Sequence, residues 1–345
     1  MGLVMADKMD FQKAVELIGK SNKVLITTHT RPDGDGCGCI AAISETLTTL
    51  GKNVKILLLS ELPAWYEFLF KQKPEIFSKK TNPLSSVEDR KGVDLIVIVD
   101  TDTYNQLPEL DKYLKQSDKP ILVIDHHITS PHSFLRSKSG GDVRLIDNSA
   151  AATALIVFDL LKYAGFPVTK KIAEAFFVAV STDTGWFQFD NTDSRTLKVC
   201  AELIDAGVNP SKMYRQLYQN FSPQQFRLMV AMLNTLELHL GGRFAMQHLT
   251  QQDFKQTGAK YSDTENLIDQ CRRIGGVEAA ALFVEQADGH VKVALRSMGA
   301  VDVSKIAAKF GGGGHKMAAG VNLEVALEQV KKLILDEVSL QINNL

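Results

Sequence analysis

The stretch Pro120-Ile121-Leu122-Val123-Ile124-Asp125-His126-His127 governs the reading of this chain. Four apolar, mostly branched residues in a row predict a strand buried on both faces. The run then ends in a carboxylate and two imidazoles, which gain nothing at the end of a buried strand without partners. Two earlier runs end alike. Val24-Leu25-Ile26-Thr27-Thr28 leads to His29, with Asp33 and Asp35 beyond it, and Asp94-Leu95-Ile96-Val97-Ile98-Val99 leads to Asp100. In an open parallel sheet, ligands bind beyond the carboxyl ends of the strands. Three strands delivering oxygen and nitrogen donors to one edge predict a metal site.

Outward from these strands the pattern alternates between α and β. Helices are expected over 11–18, 40–50, 107–116, 149–163, 170–180, 196–206, 210–218 and 223–239, and a further strand over 54–59. Arg31 to Cys39 reads as a glycine-rich loop, 61–90 as irregular wrapping, and 130–141 as a mobile loop. After Gly241-Gly242 the texture changes to strands at 243–249, 277–286 and 290–296, the last two as a hairpin. Helices over 303–310 and 323–339 flank Gly311-Gly312-Gly313-Gly314-His315. The organisation expected is a catalytic domain over 1–195, a helical connector over 196–240 and a second domain over 241–345. This is an α/β fold: a parallel sheet with helices on both faces, then a smaller mixed α/β domain.

The bulk numbers narrow the function classes. At 345 residues the chain holds roughly two domains. A net charge of −1 is not that of a protein that coats long nucleic acid, although a local basic groove stays open. No apolar run is long enough to cross a bilayer, and residues 1–10 hold no signal-peptide core. The four cysteines are too few for a disulfide framework and suit a reducing cytoplasm, which is the expected location.

The chemical candidates are His29, Asp33, Asp35, Asp100, Asp125, His126, His127 and Asp183. Singly, each has a bland reading. Asp33 and Asp35 sit among glycines, where Asp makes turns; an Asp at a strand end is often a helix cap; a lone His is often structural. Their convergence on one edge favours the metal. Imidazoles with carboxylates suit Mn²⁺, with Mg²⁺ or Co²⁺ as alternatives. A zinc–thiolate site is the rival, but Cys37 and Cys39 are spaced C-x-C with no second pair. Four acids are too much charge for one divalent ion, so two ions are expected. A bridging carboxylate would hold them about 3.5–4 Å apart around a shared hydroxide, an arrangement that mostly cleaves phosphate esters and anhydrides.

Taken in order, His29-x-x-x-Asp33-x-Asp35, Asp100, Asp125-His126-His127 and Asp183-Thr184-Gly185 resemble the four motifs of the DHH phosphoesterase superfamily. The Gly311–Gly314 run with His315, followed by Ala318-Ala319-Gly320, resembles the signature of its DHHA1 domain, so the likeness spans about 10–340. The resemblance implies two Mn²⁺ ions. His29 and Asp33 would bind one, Asp35, His126 and Asp183 mostly the other, and Asp100 would bridge them. It also implies that His127 faces the phosphate as a hydrogen-bond or proton donor, and that Asp125 orients a neighbouring histidine. Consecutive glycines let backbone N–H groups converge on an anion. Gly312, Gly313, Gly314, His315 and Arg296 are therefore expected to bind substrate. Two departures stand out: Cys39 where the family usually has serine, and Gln188 where many relatives carry a basic residue.

Within the superfamily the compact two-domain layout is similar to the nanoRNase/pAp phosphatases. Family II pyrophosphatases lack the GGGGH domain, RecJ-type exonucleases carry an extra nucleic-acid-binding domain, and membrane-bound cyclic-di-AMP phosphodiesterases add transmembrane segments. The resemblance implies hydrolysis of short oligoribonucleotides and of the 3′-phosphate of adenosine 3′,5′-bisphosphate (pAp). The expected partners are short RNA or small nucleotides, with neither long nucleic acid nor membrane, and a homodimer is carried along with this reading. The alternatives are a stand-alone cyclic-di-AMP/pApA phosphodiesterase, an exopolyphosphatase-like hydrolase, and a non-catalytic nucleotide-sensing module.

Overall fold

The structure, a computed structural model, describes residues 8–77, 92–127, 141–265 and 267–343. Residues 78–90 of the irregular stretch and 130–140 of the expected loop lie outside them. The chain divides into two units, Met1–Asn220 and Phe221–Leu345.

In the first unit, β1 (Lys23–Thr28), β2 (Asn53–Leu58), β3 (Glu75–Ile76), β4 (Leu95–Val99), β5 (Ile121–Asp125) and β6 (Val143–Ile146) pair in the order β3-β2-β1-β4-β5-β6. Every pairing is parallel. The central strands are apolar on both faces because both faces are covered. Val24, Ile26, Leu95, Val97, Val99, Leu122 and Ile124 join one core. Their alternates Leu25, Ile96, Ile98, Ile121 and Val123 join another. The first core is closed by α1 (Lys8–Lys20) and α2 (Gly34–Thr49), and the second by α3 (Leu110–Leu114). Further along, α4 (Thr153–Tyr163), α5 (Lys170–Asp183), α6 (Ser194–Asp205) and α7 (Pro210–Tyr218) also pack into the first core. The order in which strands are added across the sheet reverses between β1 and β4. That switch point opens a crevice at the strands' carboxyl ends, where His29 and Asp100 stand.

The stretch expected as a glycine-rich loop is instead the first turns of α2, capped by Asp33, whose Oδ1 accepts from Asp35 N at 3.0 Å and Gly36 N at 3.1 Å. Glycine has low helix propensity, so sequence pattern argues against a helix here, and close packing supplies the reason. A Cβ on Gly38 would lie 2.4 Å from the Ala175 carbonyl of α5, and one on Gly36 would lie 2.7 Å from Thr28 Oγ1. Strand β6 is also an addition: Val143 and Leu145 are buried, and Asp142 Oδ1 accepts Ile121 N at 2.9 Å.

The second unit begins with α8 (Pro223–Asn234), five residues shorter than the expected helix; Glu237–His239 forms β7 instead. Beyond it lie β8 (Phe244–Leu249), α9 (Gln251–Thr257), β9 (Ala279–Glu285), β10 (Val291–Ser297), α10 (Val303–Lys309), β11 (Gly313–His315), β12 (Ala318–Leu323) and α11 (Leu327–Ile342). The sheet order is β11-β12-β10-β9-β8-β7, with β8 and β9 parallel and the other neighbours antiparallel. The helices of 196–240 are thus shared out. Val199, Leu203 and Met213 join the first unit's core, while Leu228 and Met232 of α8 pack in the second unit. Among the described residues no helix is long and apolar enough to cross a membrane.

Candidate metal centre

Seven residues meet at the switch point in overlapping triads. His29, Asp33 and Asp100 form one set; Asp35, His126 and Asp183 form another; Asp100 is also grouped with His126 and His127. His29 Nε2 stands 3.3 Å from Asp100 Oδ2 and 3.8 Å from Asp33 Oδ1. His126 Nε2 stands 3.4 Å from Asp183 Oδ2 and 3.8 Å from Asp100 Oδ1. Asp100 therefore lies between the two sets.

Each side chain is held by its own element. The His29 ring has Nδ1 2.9 Å from Thr30 O, and His126 has Nδ1 3.0 Å from Ala150 O. A carbonyl can only accept, so both Nδ1 atoms carry hydrogen, which leaves Nε2 of each ring as the atom available to a metal. Asp35 is buried. Its Oδ2 accepts Thr153 N at 2.6 Å, and its Oδ1 accepts Ala154 N at 3.0 Å and the Cys39 thiol at 3.4 Å. Asp100 sits in the left-handed region at φ 62°, with its Oδ1 accepting Thr153 Oγ1 at 3.0 Å. Thr153 was not singled out in the sequence. Its only signal there is a small-residue run, Ala150-Ala151-Ala152, ahead of a helix.

Asp183 comes from a different kind of element, the last turn of α5. The chain leaves that helix through Gly185, Trp186 and Phe187, all left-handed, at φ 55°, 59° and 65°. For bulky side chains this costs about 1–3 kcal/mol each and persists only where the surroundings over-determine it. Here Thr184 O accepts Gln188 N and Phe189 N, and Asn191 Nδ2 donates to both Asp183 O and Ala151 O. A Cβ on Gly185 would lie 2.3 Å from the Phe189 ring, which explains glycine in this motif.

Asp125 and His127 form a hydrogen-bonded pair of their own, although His127 Nδ1 also stands 3.7 Å from Asp100 Oδ1. Asp125 is fully buried, and its Oδ1 accepts His126 N at 2.8 Å, His127 N at 3.2 Å and His127 Nδ1–H at 2.8 Å. With Nδ1 so engaged, His127 keeps Nε2 for other work, and its side chain is 49% exposed.

The charge balance calls for cations. Burial pushes the Asp183 carboxyl up to about 8, helped by Asp35 and Asp33. Burial also drives Asp35 and Asp100 upward. Burial alone would strip His29 of its proton, but Asp100 and Asp33 outweigh it and hold the ring at about 11. Nε2 of His126 is buried with no hydrogen-bond partner. An orphaned imidazole lone pair among crowded carboxylates fits divalent metal, and the nitrogen and oxygen donor set fits hard to borderline ions.

The other expected substrate residues lie in the second unit. Strand register puts Arg296 opposite Ala318 and Ala318 opposite His315, so the two flank one small residue. Arg296 Nε donates to Asp269 Oδ1 at 3.1 Å. The glycine run is half strand, not a free loop. A Cβ on Gly312 would lie 2.3 Å from Gly320 O, and one on Gly314 2.5 Å from Ala318 O, whereas Gly313 faces open space.

Residues 23–180 match the DHH family, N-terminal domain, and 242–344 match the DHHA1 domain. The chain is 31% identical over 327 residues to a bifunctional oligoribonuclease and PAP phosphatase of Thermus thermophilus, covering 94% of this chain and 90% of that protein. The chain belongs to the DHH phosphoesterase family. As a hydrolase of that family it is also similar to a Bacillus subtilis protein of the same description, 27% identical over 90% of this chain and 92% of that one. Its fold is shared with an exopolyphosphatase-related protein of Bacteroides fragilis, with a TM-score of 0.89 at 22% identity and 98% of each chain covered.

Proposed function

We propose that this DHH phosphoesterase degrades very short oligoribonucleotides to mononucleotides and removes the 3′-phosphate of pAp, using two divalent ions, Mn²⁺ first among the candidates. The observation that carries this reading is the pair of triads, His29–Asp33–Asp100 and Asp35–His126–Asp183, abutting at Asp100. Relatives described as bifunctional oligoribonuclease and PAP phosphatase, aligned over nearly the whole chain, supply the substrate class.

In this reading His29 and Asp33 would hold one ion, Asp35, His126 and Asp183 would hold the other, and Asp100 would serve both. Such ions supply Lewis acidity toward the phosphoryl group and make the attacking water more acidic. The chain's own part is positioning and proton transfer. Thr153 fixes Asp35 and Asp100 together through its N–H and Oγ1–H. Asp125 locks the tautomer and tilt of His127 through Nδ1, leaving Nε2 to move a proton to the leaving oxygen. Arg296 offers a planar donor fork to a substrate phosphate, oriented by Asp269. A net charge of −1 suits short substrates better than polymers.

The test is phosphate release and product length for the purified chain with pAp, RNA of two to five nucleotides, pApA and cyclic-di-AMP, each with Mn²⁺ or Mg²⁺. Turnover of pAp and short RNA is expected. Failure on both in either metal overturns the proposal.

A further inference from the structure

The first unit carries a cluster of aromatic rings beside the turn that follows Asp183. Trp186 lies three residues after Asp183, with its ring centroid 5.0 Å from Tyr214 and 5.7 Å from Tyr218. These tyrosines are one turn apart on α7 with their rings 5.2 Å from each other, and they are 37% and 41% exposed. Tyr66 stands on the short 3₁₀ stretch Ala64–Leu69. Burial pushes its phenol up, with smaller contributions from Asp33 and Cys37, and the stretch that carries it packs against α7.

We propose that Tyr214 and Tyr218, propped on Trp186, form a stacking subsite for a nucleobase of the substrate. This rests on the reading of the chain as a hydrolase of nucleotides and short RNA, and it names where the base goes. Three features point to a base rather than to an apolar peptide. The exposed surface consists of flat π-systems with polar tips, not aliphatic groups. Its support, Trp186, lies three residues from Asp183, a carboxylate proposed to hold metal. Stacking tolerates every base, as degradation of short RNA requires. The strained turn at Gly185–Phe187 has a use in this light, because it carries Trp186 under the tyrosines within three residues of a ligand.

The experiment has a binding arm and a kinetic arm, both on the full chain. The chain has two tryptophans, so Trp65→Phe leaves Trp186 as the sole reporter. In metal-free Trp65→Phe protein, pAp is expected to quench or shift Trp186 emission saturably, and inorganic phosphate is not. In the kinetic arm, Tyr214→Leu/Tyr218→Leu is expected to raise KM for pAp about tenfold or more with kcat little changed. Tyr214→Phe/Tyr218→Phe, which keeps the rings, is expected to restore it. The comparison substrate is the methyl riboside 3,5-bisphosphate, which keeps both phosphates and lacks the base. The wild-type preference for pAp over this compound should collapse toward one in the leucine variant. An unchanged preference, or equal Trp186 responses to pAp and phosphate, overturns the subsite. Saturable, base-dependent quenching without turnover of any nucleotide would overturn the proposed activity and leave the subsite standing.

Discussion

Asp35, on the first turn of α2, caps a helix 118 residues further on: its carboxylate accepts the N–H groups of Thr153 at 2.6 Å and Ala154 at 3.0 Å at the start of α4. Ala152, the residue before that helix, supplies no side-chain cap of its own. One carboxylate therefore serves two purposes, satisfying buried backbone donors and facing the His126–Asp183 set.

Replacing Asp35 with Ala should cost stability even without metal, by about 1–3 kcal/mol, because buried N–H groups lose their acceptor. Asp183→Asn should do the opposite in metal-free protein above about pH 8, where the wild-type carboxyl is ionised. It removes a crowded charge while abolishing stabilisation by added metal. Thermal unfolding of both variants with chelator and then with Mn²⁺ checks this. Equal destabilisation of the two without metal would contradict it.

The same crowding gives a pH dependence with a definite sign. Asp183 is held at about 8 by burial, and Asp35 and Asp100 are raised as well, against about 3.9 for unfolded Asp. His29 is held at about 11, its neighbouring carboxylates outweighing burial, against about 6.5 unfolded. All four groups bind more protons folded than unfolded, so stability of metal-free protein should fall as pH rises from about 4 through 8 and beyond. Metal binding must displace these protons, so apparent affinity should rise over the same range. Calorimetric titration in buffers of different ionisation enthalpy should record proton release. Metal uptake without it would count against the charge assignment.

His126 and His127, adjacent in sequence, should separate in function. His126→Ala is expected to lose metal, and His127→Ala to keep its metal content while kcat falls about 10²–10⁴-fold. Metal analysis of both purified variants, alongside turnover, makes the comparison. Equal metal loss in the two would end the proposed division of labour.

Gly38→Ala should be worse than its size suggests. The new methyl would lie 2.4 Å from Ala175 O and 2.7 Å from Ala179 Cβ, so α2 must move away from α5. Overpacking of this kind costs about 1–3 kcal/mol. Because α2 carries Asp35 and α5 carries Asp183, metal affinity should fall along with the melting temperature. Gly19→Ala, with nothing within 4 Å of the added carbon, is the control for simple glycine replacement.

Much of this protein was legible from local pattern. Apolar runs such as Ile121–Ile124 and Leu95–Val99 can only be strands covered on both faces. The donors just beyond them, His29, Asp100, Asp125, His126 and His127, must share an edge once those strands run parallel. Other features depend on contacts far apart in the chain. Gly34 to Gly38 reads as loop by propensity and becomes helix because α5 and Thr28 pack where side chains would stand. Glu237–His239 continues a helical pattern but is drawn into the second sheet by pairing with β8.

The order and chemistry of the candidate donors, and an α/β unit followed by a mixed-sheet unit, were determined by the sequence alone, because strand burial and donor type are properties of short segments. Only the tertiary structure decided that Asp100 stands between two triads, that Asp35 is locked by the start of α4, and that His126 and His127 face different partners. Those outcomes depend on distances between residues as far apart in the chain as Asp35 and Asp183, and no local pattern encodes them.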